Sequence, residues 1–375
     1  MAHSYTPGLK VLHYLKIIKN RRLPIKGDVI KIKGDVLKPD DIVAKTDLPG
    51  NVQMLKIANL LNIGPSDLPD VMILKEGDKV TKGELIAQTN GLFGFFKSDV
   101  KSPIDGTIES ISDVTGQIVL REAPIPVEVD AYISGIVEDV IPNEGVVIKS
   151  DAAFIQGIFG IGGESRGTLE VVVPDRESEL TEDLLKEAHR GKIIVGGSHI
   201  SLSAYKKALS LNIAGIVVGG FNYYDLEEIL GYTLGVAITG SENLNTSLIV
   251  TEGYGNIRMS SRTFDLLSKH NGKFVSINGA TQIRAGVIRP EIVIPLSKDD
   301  LANKHPLESG EKGISDGSLV RVIRAPYFGQ MGTVKSLPSE LQKMESETMV
   351  RVAIVEIDGD ELTIPRANLE MVEVD

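Results

Sequence analysis

Between Leu23 and Lys149 apolar and polar residues alternate for only a few positions before Gly, Asp or Pro interrupts, about every eight to twelve residues. A strand points successive side chains to opposite faces, so such runs build short strands with one face turned inward. The interruptions supply the turns that join them. Met54 to Leu61 is the exception: its apolar positions suit a short helix, closed by Asn62, Ile63, Gly64 and Pro65. The 38 Gly and the absence of Trp fit the same picture of tight turns between strands rich in Val and Ile.

The rhythm changes between about Arg190 and Pro295. IIVGG (193–197), a helical stretch over Leu202 to Leu211 and IAGIVVGG (213–220) form a βαβ unit, which implies a parallel sheet. Helices expected at Asp183 to His189, Tyr224 to Leu230 and Ser261 to His270 extend the plan. So do strands expected at Val236 to Ile238, Ser247 to Val250 and Phe274 to Ile277. Ser297 to Ser315 is polar and reads as a linker. Beyond it, strands expected at Leu319 to Ile323, Gly332 to Val334, Val350 to Glu356 and Leu362 to Ile364 suit a small barrel.

Composition narrows the function classes. Lys and Arg total 40 against 51 Asp and Glu, a net charge of -11 that disfavours coating of polyanions. The chain has no Cys, which excludes disulfides, thiol catalysis and Cys-ligated zinc or iron–sulfur centres. No apolar run reaches the roughly 18 to 20 residues that span a bilayer, and no secretory pattern opens the chain. The expectation is a cytoplasmic protein without a membrane span. GLKVLHYLKIIKNRR (8–22) is basic and apolar. It suits a membrane surface if Lys10, Lys16, Lys19, Arg21 and Arg22 share a face, or an edge element packed on a neighbouring subunit.

EGDKVTKGELIA (76–87) with KSPIDGTIESI (101–111) resembles the barrel-sandwich hybrid family, which includes biotinyl and lipoyl domains. Residues 34–52 and 132–149 echo it, so the region reads as two interleaved or tandem hybrids. In biotin carriers the modified Lys sits eight residues before the equivalent of Pro103; here that residue is Phe95, and Lys97 is two positions away. The resemblance therefore implies no cofactor, and Phe95, Phe96 and Lys97 read as a docking hairpin. LVRVIRAPYFGQMGTV (319–334) resembles the KOW motif of ribosomal proteins and elongation factors, with LTIPRANLEMV (362–372) as its closing strand. Gly329 and Gly332 suit a turn needing positive φ. From Gly317 onward 6 Lys and Arg face 10 Asp and Glu, so docking to protein is favoured over contact with nucleic acid. GGSH (196–199) resembles the swivelling phosphohistidine domains, which implies a phosphoryl-carrying role for His199. The plainer reading makes Ser198 a helix N-cap and His199 a first-turn residue.

The resulting expectation is an α+β multidomain chain. It comprises an N-terminal arm (1–23), a β-rich barrel-sandwich hybrid region (24–150), a central α/β domain with a mostly parallel sheet (151–296), a linker (297–316) and a small KOW/SH3-like β-barrel (317–375). QGIFGIGGESRG (156–167) reads as a glycine-shaped bend, or as an anion cradle using Arg166. Asn278, Gln282, Arg284 and Arg289 form the densest polar cluster of the central region and are the candidate ligand or subunit contact. No His pair at i, i+4, no calcium loop and no paired carboxylates suggest a metal or a catalytic residue. The favoured function is a non-catalytic scaffold with protein partners, assembling as a homo-oligomer or on a larger complex. The alternatives are a transcription- or ribosome-associated factor and a phosphotransfer protein using His199.

Overall fold

From Lys16 to Arg22 burial alternates, with Ile17, Lys19 and Arg21 turned inward and Lys16, Ile18, Asn20 and Arg22 exposed, so the segment is a two-faced strand. The computed structural model describes residues 9–89, 97–231, 239–242, 244–282, 288–301, 314–322, 324, 326–327, 330–338, 340–343 and 349–373. Strand β1 (Leu9–Arg22) is followed by β2 (Val36–Leu37), β3 (Ile42–Leu48), β4 (Ile125–Asp130), β5 (Gly135–Ile141) and the long β6 (Gly145–Gln156). The central strands are β7 (Phe159–Ile161), β8 (Glu164–Val171), β9 (Ile193–Val195), β10 (Gly215–Phe221), β11 (Ser247–Tyr254), β12 (Phe274–Asn278) and β13 (Glu291–Pro295). Helices α1 (Leu202–Ser210), α2 (Tyr223–Leu230) and α3 (Ser261–Lys269) belong to the same part, and β14 (Leu319–Val322) and β15 (Leu369–Glu373) to the last.

β1 is thus no free arm. It pairs antiparallel with β6 from Val11↔Ile155 to Arg22↔Gly145, and its first two residues pair parallel with β15. β6 continues to β5 on one stretch and to β13 on the other, so one mixed sheet runs through the chain. Ile17, Val137, Val146 and Ile148 face a buried core, together with Leu37, Val43 and Ala131.

Residues 51–122 are inserted between β3 and β4, which pair antiparallel from Leu48↔Ile125 to Ile42↔Asp130 and form a stem to which Asp28–Val29 adds a short third strand on β3. The insert has its own sheet of Val52–Leu55, Gln117–Arg121, Gly106–Ser112 and Lys79–Val80, plus the pair Leu85–Gln88 with Asp99–Lys101. Ile57, Leu68, Ile86, Ile108, Ile118 and Leu120 fill its core. Met54 and Leu55 lie in the strand, so the short helix covers Ile57–Leu61 alone; it ends as expected, on Asn62 with φ 54°. One β unit therefore sits nested inside another.

The central sheet joins β8, β9, β10 and β11 in parallel, with β7 antiparallel at one edge. Both faces are covered, and this is why the strands read as unbroken apolar runs. Ile216, Val218, Leu248 and Val250 face α1 and α2, while Val217 and Ile249 face α3. The expected helix over Asp183 to His189 is instead two single turns, Glu182–Leu184 and Glu187–His189. The closing part is an antiparallel set around Val320, Val334, Val355 and Ile364. Among the described residues no helix is long and apolar enough to cross a membrane.

Two charge networks join these parts. At the first joint, Arg21 donates to Glu164 at 2.6 Å and 2.8 Å and to Asp130 at 3.1 Å; Arg166 also pairs with Asp130. Lys19 meets Glu291 at 2.5 Å, and the Tyr132 hydroxyl donates to the same carboxylate at 3.2 Å. Tyr132 is buried at φ 64°, and burial with the nearby Glu291 charge pushes its phenol well above the usual range. At the second joint Arg321, 2% exposed, donates to Thr251 O and Glu252 at 3.1 Å and to Glu370 at 2.8 Å. Glu370 also takes Arg289.

Removing one partner of a buried pair strands the others, at about 3–5 kcal/mol. Arg321→Met, which leaves Glu252 without its cation and Glu370 with Arg289 alone, is expected to lower unfolding free energy by about that amount in urea titrations. A loss below about 1 kcal/mol would show that the joint is solvated.

Candidate functional site

Open α/β sheets bind ligands beyond the carboxyl ends of their parallel strands. In this chain that edge is formed by the loops after β8, β9, β10 and β11. The backbone is drawn tightly over it. A Cβ at Gly219 would lie 2.2 Å from Ile257 O, and one at Gly220 would lie 2.0 Å from Gly255 O. The VVGGF run of β10 therefore needs glycine where the 255–259 loop crosses it.

His199 lies at this edge. It is bridged to Gly220 by backbone pairing, stacks on Phe221 with ring centres 6.5 Å apart, and has Nδ1 3.6 Å from Glu179 Oε1. It is not a first-turn residue. The N-cap of α1 is Ser201, whose hydroxyl accepts the Ala204 N–H at 3.2 Å, and Ser198 is a buried residue of the preceding loop. The free N–H groups of the helix thus begin beyond His199, and its ring is packed on an aromatic face.

Beside it, Tyr254 stands edge-on to Tyr223 at 5.3 Å and packs on Phe159 at 5.4 Å; Tyr223 in turn meets Tyr224 at 6.0 Å. Tyr224 is 78% exposed and Tyr254 40%, so the cluster reaches from the core to the surface. Asn222 caps α2 by accepting the Tyr224 N–H at 3.0 Å. Burial, with Tyr223 as a lesser cause, pushes the Tyr254 phenol up to about 12.

The polar cluster at 278–289 lies elsewhere. β12 runs antiparallel to β8, with Asn278 opposite Glu164, so its end is at the amino edge of the parallel strands. The Asn278 side chain accepts the Ala280 N–H at 2.9 Å, and Gln282 exchanges backbone hydrogen bonds with Ile288 at 2.9 Å and 2.8 Å. Arg289 turns to Glu370, and Arg284 lies outside the described residues. Asn278 and Gln282 therefore share a hairpin, while Arg289 serves the joint with the closing part.

Phe95, Phe96 and Gly329 also lie outside the described residues, and Lys97 is exposed with its amine 3.4 Å from the Gln88 side chain. Gly332 is not in a turn: it pairs with Val320 inside a strand, and a Cβ there would meet Val355 Cγ1 at 2.5 Å. The Gly-rich 156–167 segment is a bend between β6, β7 and β8. Its Arg166 is taken by Asp130, Pro39 O and Asp40. Among the described residues no group of three or more potential ligands could hold a metal ion.

The sequence reading missed Tyr132, Arg321, Glu252, Glu291 and Glu370. One signal was available: each charge interrupts an apolar run, as in LVRVI (319–323), LIVTEG (248–253) and PEIVIP (290–295). No protein-family model matches the chain, and no curated protein matches it.

A phenol whose folded value is raised from 10.0 to about 12 binds its proton more tightly in the native state. The stability it contributes is complete below the unfolded value of 10.0 and is lost as pH rises toward about 12. Alkaline titration of tyrosinate absorbance should show a component near 12 that Tyr254→Phe removes. A component lost near 10 instead would place the ring in water.

Proposed function

We propose that this chain is a non-catalytic assembly protein. A stiff β frame holds its parts in fixed orientation and carries a nested β unit outward on a stem. One observation carries the reading: the side chains that sequence chemistry singles out are engaged in structural contacts. His199 lies on Phe221, Arg166 spans Asp130 and Pro39, and Arg289 is held by Glu370. A half-buried charge network at the first joint and a buried one at the second support a rigid platform, since each fixes several donors and acceptors at once.

The insert supports a docking role. Val52 and Met54 are 49% and 67% exposed on a strand whose described ladder partner is the Gln117–Arg121 strand alone. An open cleft of about 410 Å³ lies between Pro69, Met72, Leu74 and Ile111. The turn spacing of residues 76–111, which resembles the barrel-sandwich hybrids, suits presentation of a surface by a short-looped unit. In the closing part, the spacing that resembles the KOW motif suits a protein contact, given its acidic balance.

Light scattering over a wide concentration range tests the reading. The expected result is a mass above that of one chain that grows with concentration; a strictly monomeric particle throughout would overturn self-assembly. Replacing residues 51–122 by a two-residue Asn-Gly turn across the β3–β4 stem should leave the frame folded, with its far-ultraviolet spectrum retained for the remaining strands. Collapse of the frame would show that the insert is part of its core.

A further inference from the structure

Glu252 gives its two carboxylate oxygens to two different parts of the molecule. Oε2 accepts from Nη1 of Arg321, in the closing part, at 3.1 Å, and Oε1 accepts the Ser260 N–H at 3.0 Å. Residues 252 and 260 flank the turn by which the chain leaves the end of β11 and reaches the cap of α3. The bond to Ser260 therefore pinches that turn shut at its neck.

The pinched segment is the one that crosses the carboxyl edge of the central sheet. Gly255 donates to Phe221 O at 2.9 Å, and its own carbonyl and that of Ile257 lie over Gly220 and Gly219. Phe221 in turn carries the His199 ring, and Tyr254 packs on Phe159 and Tyr223. Gly255 sits at φ 107°, a conformation that suits a hinge. Beyond these contacts the apex is held lightly. Arg258 reaches Glu177 at 3.2 Å, but both side chains are 63% exposed, where such a pair contributes little. Met259 is buried and anchors only the returning end.

Glu252 stays in the neck only while its charge is compensated. It is 5% exposed, and its one ion pair among the described residues is with Arg321. A carboxylate that loses its cation in such a place is driven toward water, and in turning there it lets go of the Ser260 N–H.

We propose that docking of the closing part clasps residues 253–258 over the carboxyl edge, with Glu252 as the shared catch. In the clasped state Arg321 holds Glu252 in the neck and the edge is covered. When the closing part withdraws Arg321, Glu252 leaves, the neck opens, and the end of β10 beside His199 becomes reachable. The closing part thereby governs access to the edge at which open α/β sheets bind ligands. The coupling runs both ways, so whatever opens the neck also loosens the joint at Arg321. Neither state requires a second copy of the chain, and the clasp stands apart from self-assembly.

Amide hydrogen exchange on the full chain, resolved by residue at neutral pH, tests this. The α1 amides of Tyr205 and Leu211, bonded to Ser201 O and Lys207 O, are the reference for an intact central sheet. Arg321→Met is expected to speed exchange at Gly255 and Ser260 by about tenfold or more while the reference amides keep their wild-type rates. Adding Glu252→Gln to that variant should bring both loop amides back near the wild-type rate. The neutral side chain has no charge to take to water, and its oxygen still accepts the Ser260 N–H. If Arg321→Met opens the reference amides as well, Arg321→Lys with and without Glu252→Gln makes the same comparison in a milder background. Loop exchange that does not change with Arg321, or that Glu252→Gln does not slow, overturns the clasp.

Discussion

The antiparallel ladder between β1 and β6 is the constraint on which the remaining architecture depends. It joins residues 11–22 to residues 145–155, and the two residues at its head reach β15 near the far end of the chain. A slip of one residue would turn Ile17 to water and Ile18 to the core. The same slip would carry Lys19 away from Glu291, and Arg21 away from Glu164 and Asp130. Apolar burial and ion pairing therefore demand one register, and the irregularity between Leu12 and Leu15 absorbs the difference in strand shape. Contacts this remote in sequence close late, so the frame is expected to fold slowly for its size.

Buried charge, as at the second joint, is an expensive way to hold modules together. Desolvating an Arg and a carboxylate costs several kcal/mol each, and their attraction repays it only when every donor is satisfied. An apolar joint would bind as tightly but would tolerate many rotations. Arg321 does not: its guanidinium is fixed by a carbonyl of β11, by Glu252 on the same strand and by Glu370 on β15. Glu252 is itself fixed by the Ser260 N–H at 3.0 Å, at the cap of α3. The arrangement trades net stability for a single orientation.

Local signals were legible and remote ones were not. The parallel unit was readable from IIVGG, its helix and IAGIVVGG, because covered strands and amphipathic helices leave different periods; the helix ends near 210, 230 and 269 agree with the caps. β1 was obscured because its inward-facing Lys19 and Arg21 look like a basic surface run when their partners lie more than 100 residues away. The end of β12 looked like a ligand-binding edge because strand direction is a property of the sheet and not of the segment. His199 looked like a helix N-terminus because GGSH precedes a helix, yet the cap falls at Ser201, after one further bridge of backbone pairing. For the candidate edge, aromatic and acidic residues were visible in the sequence, but the crowding that brings the 255–259 loop over Gly219 and Gly220 was not.

The nested unit would be free to swing if its stem were the whole connection, since a narrow stem of two long strands and the short Asp28–Val29 has little hold in water. The stem is not alone. Its last ladder residue, Asp130, follows a register shift after Val129. Asp130 accepts from Arg21 through both its backbone oxygen and its carboxylate, and its carboxylate also takes Arg166 of β8. Arg166 in turn holds Pro39 O, just before β3, the other strand of the stem. The end of β4 and the lead-in to β3 are thus clamped at the base of the stem by one guanidinium of the central sheet. A tilt of the stem has to break charged hydrogen bonds in a half-buried place, where such bonds are strong. The base of the stem is therefore fixed to the frame.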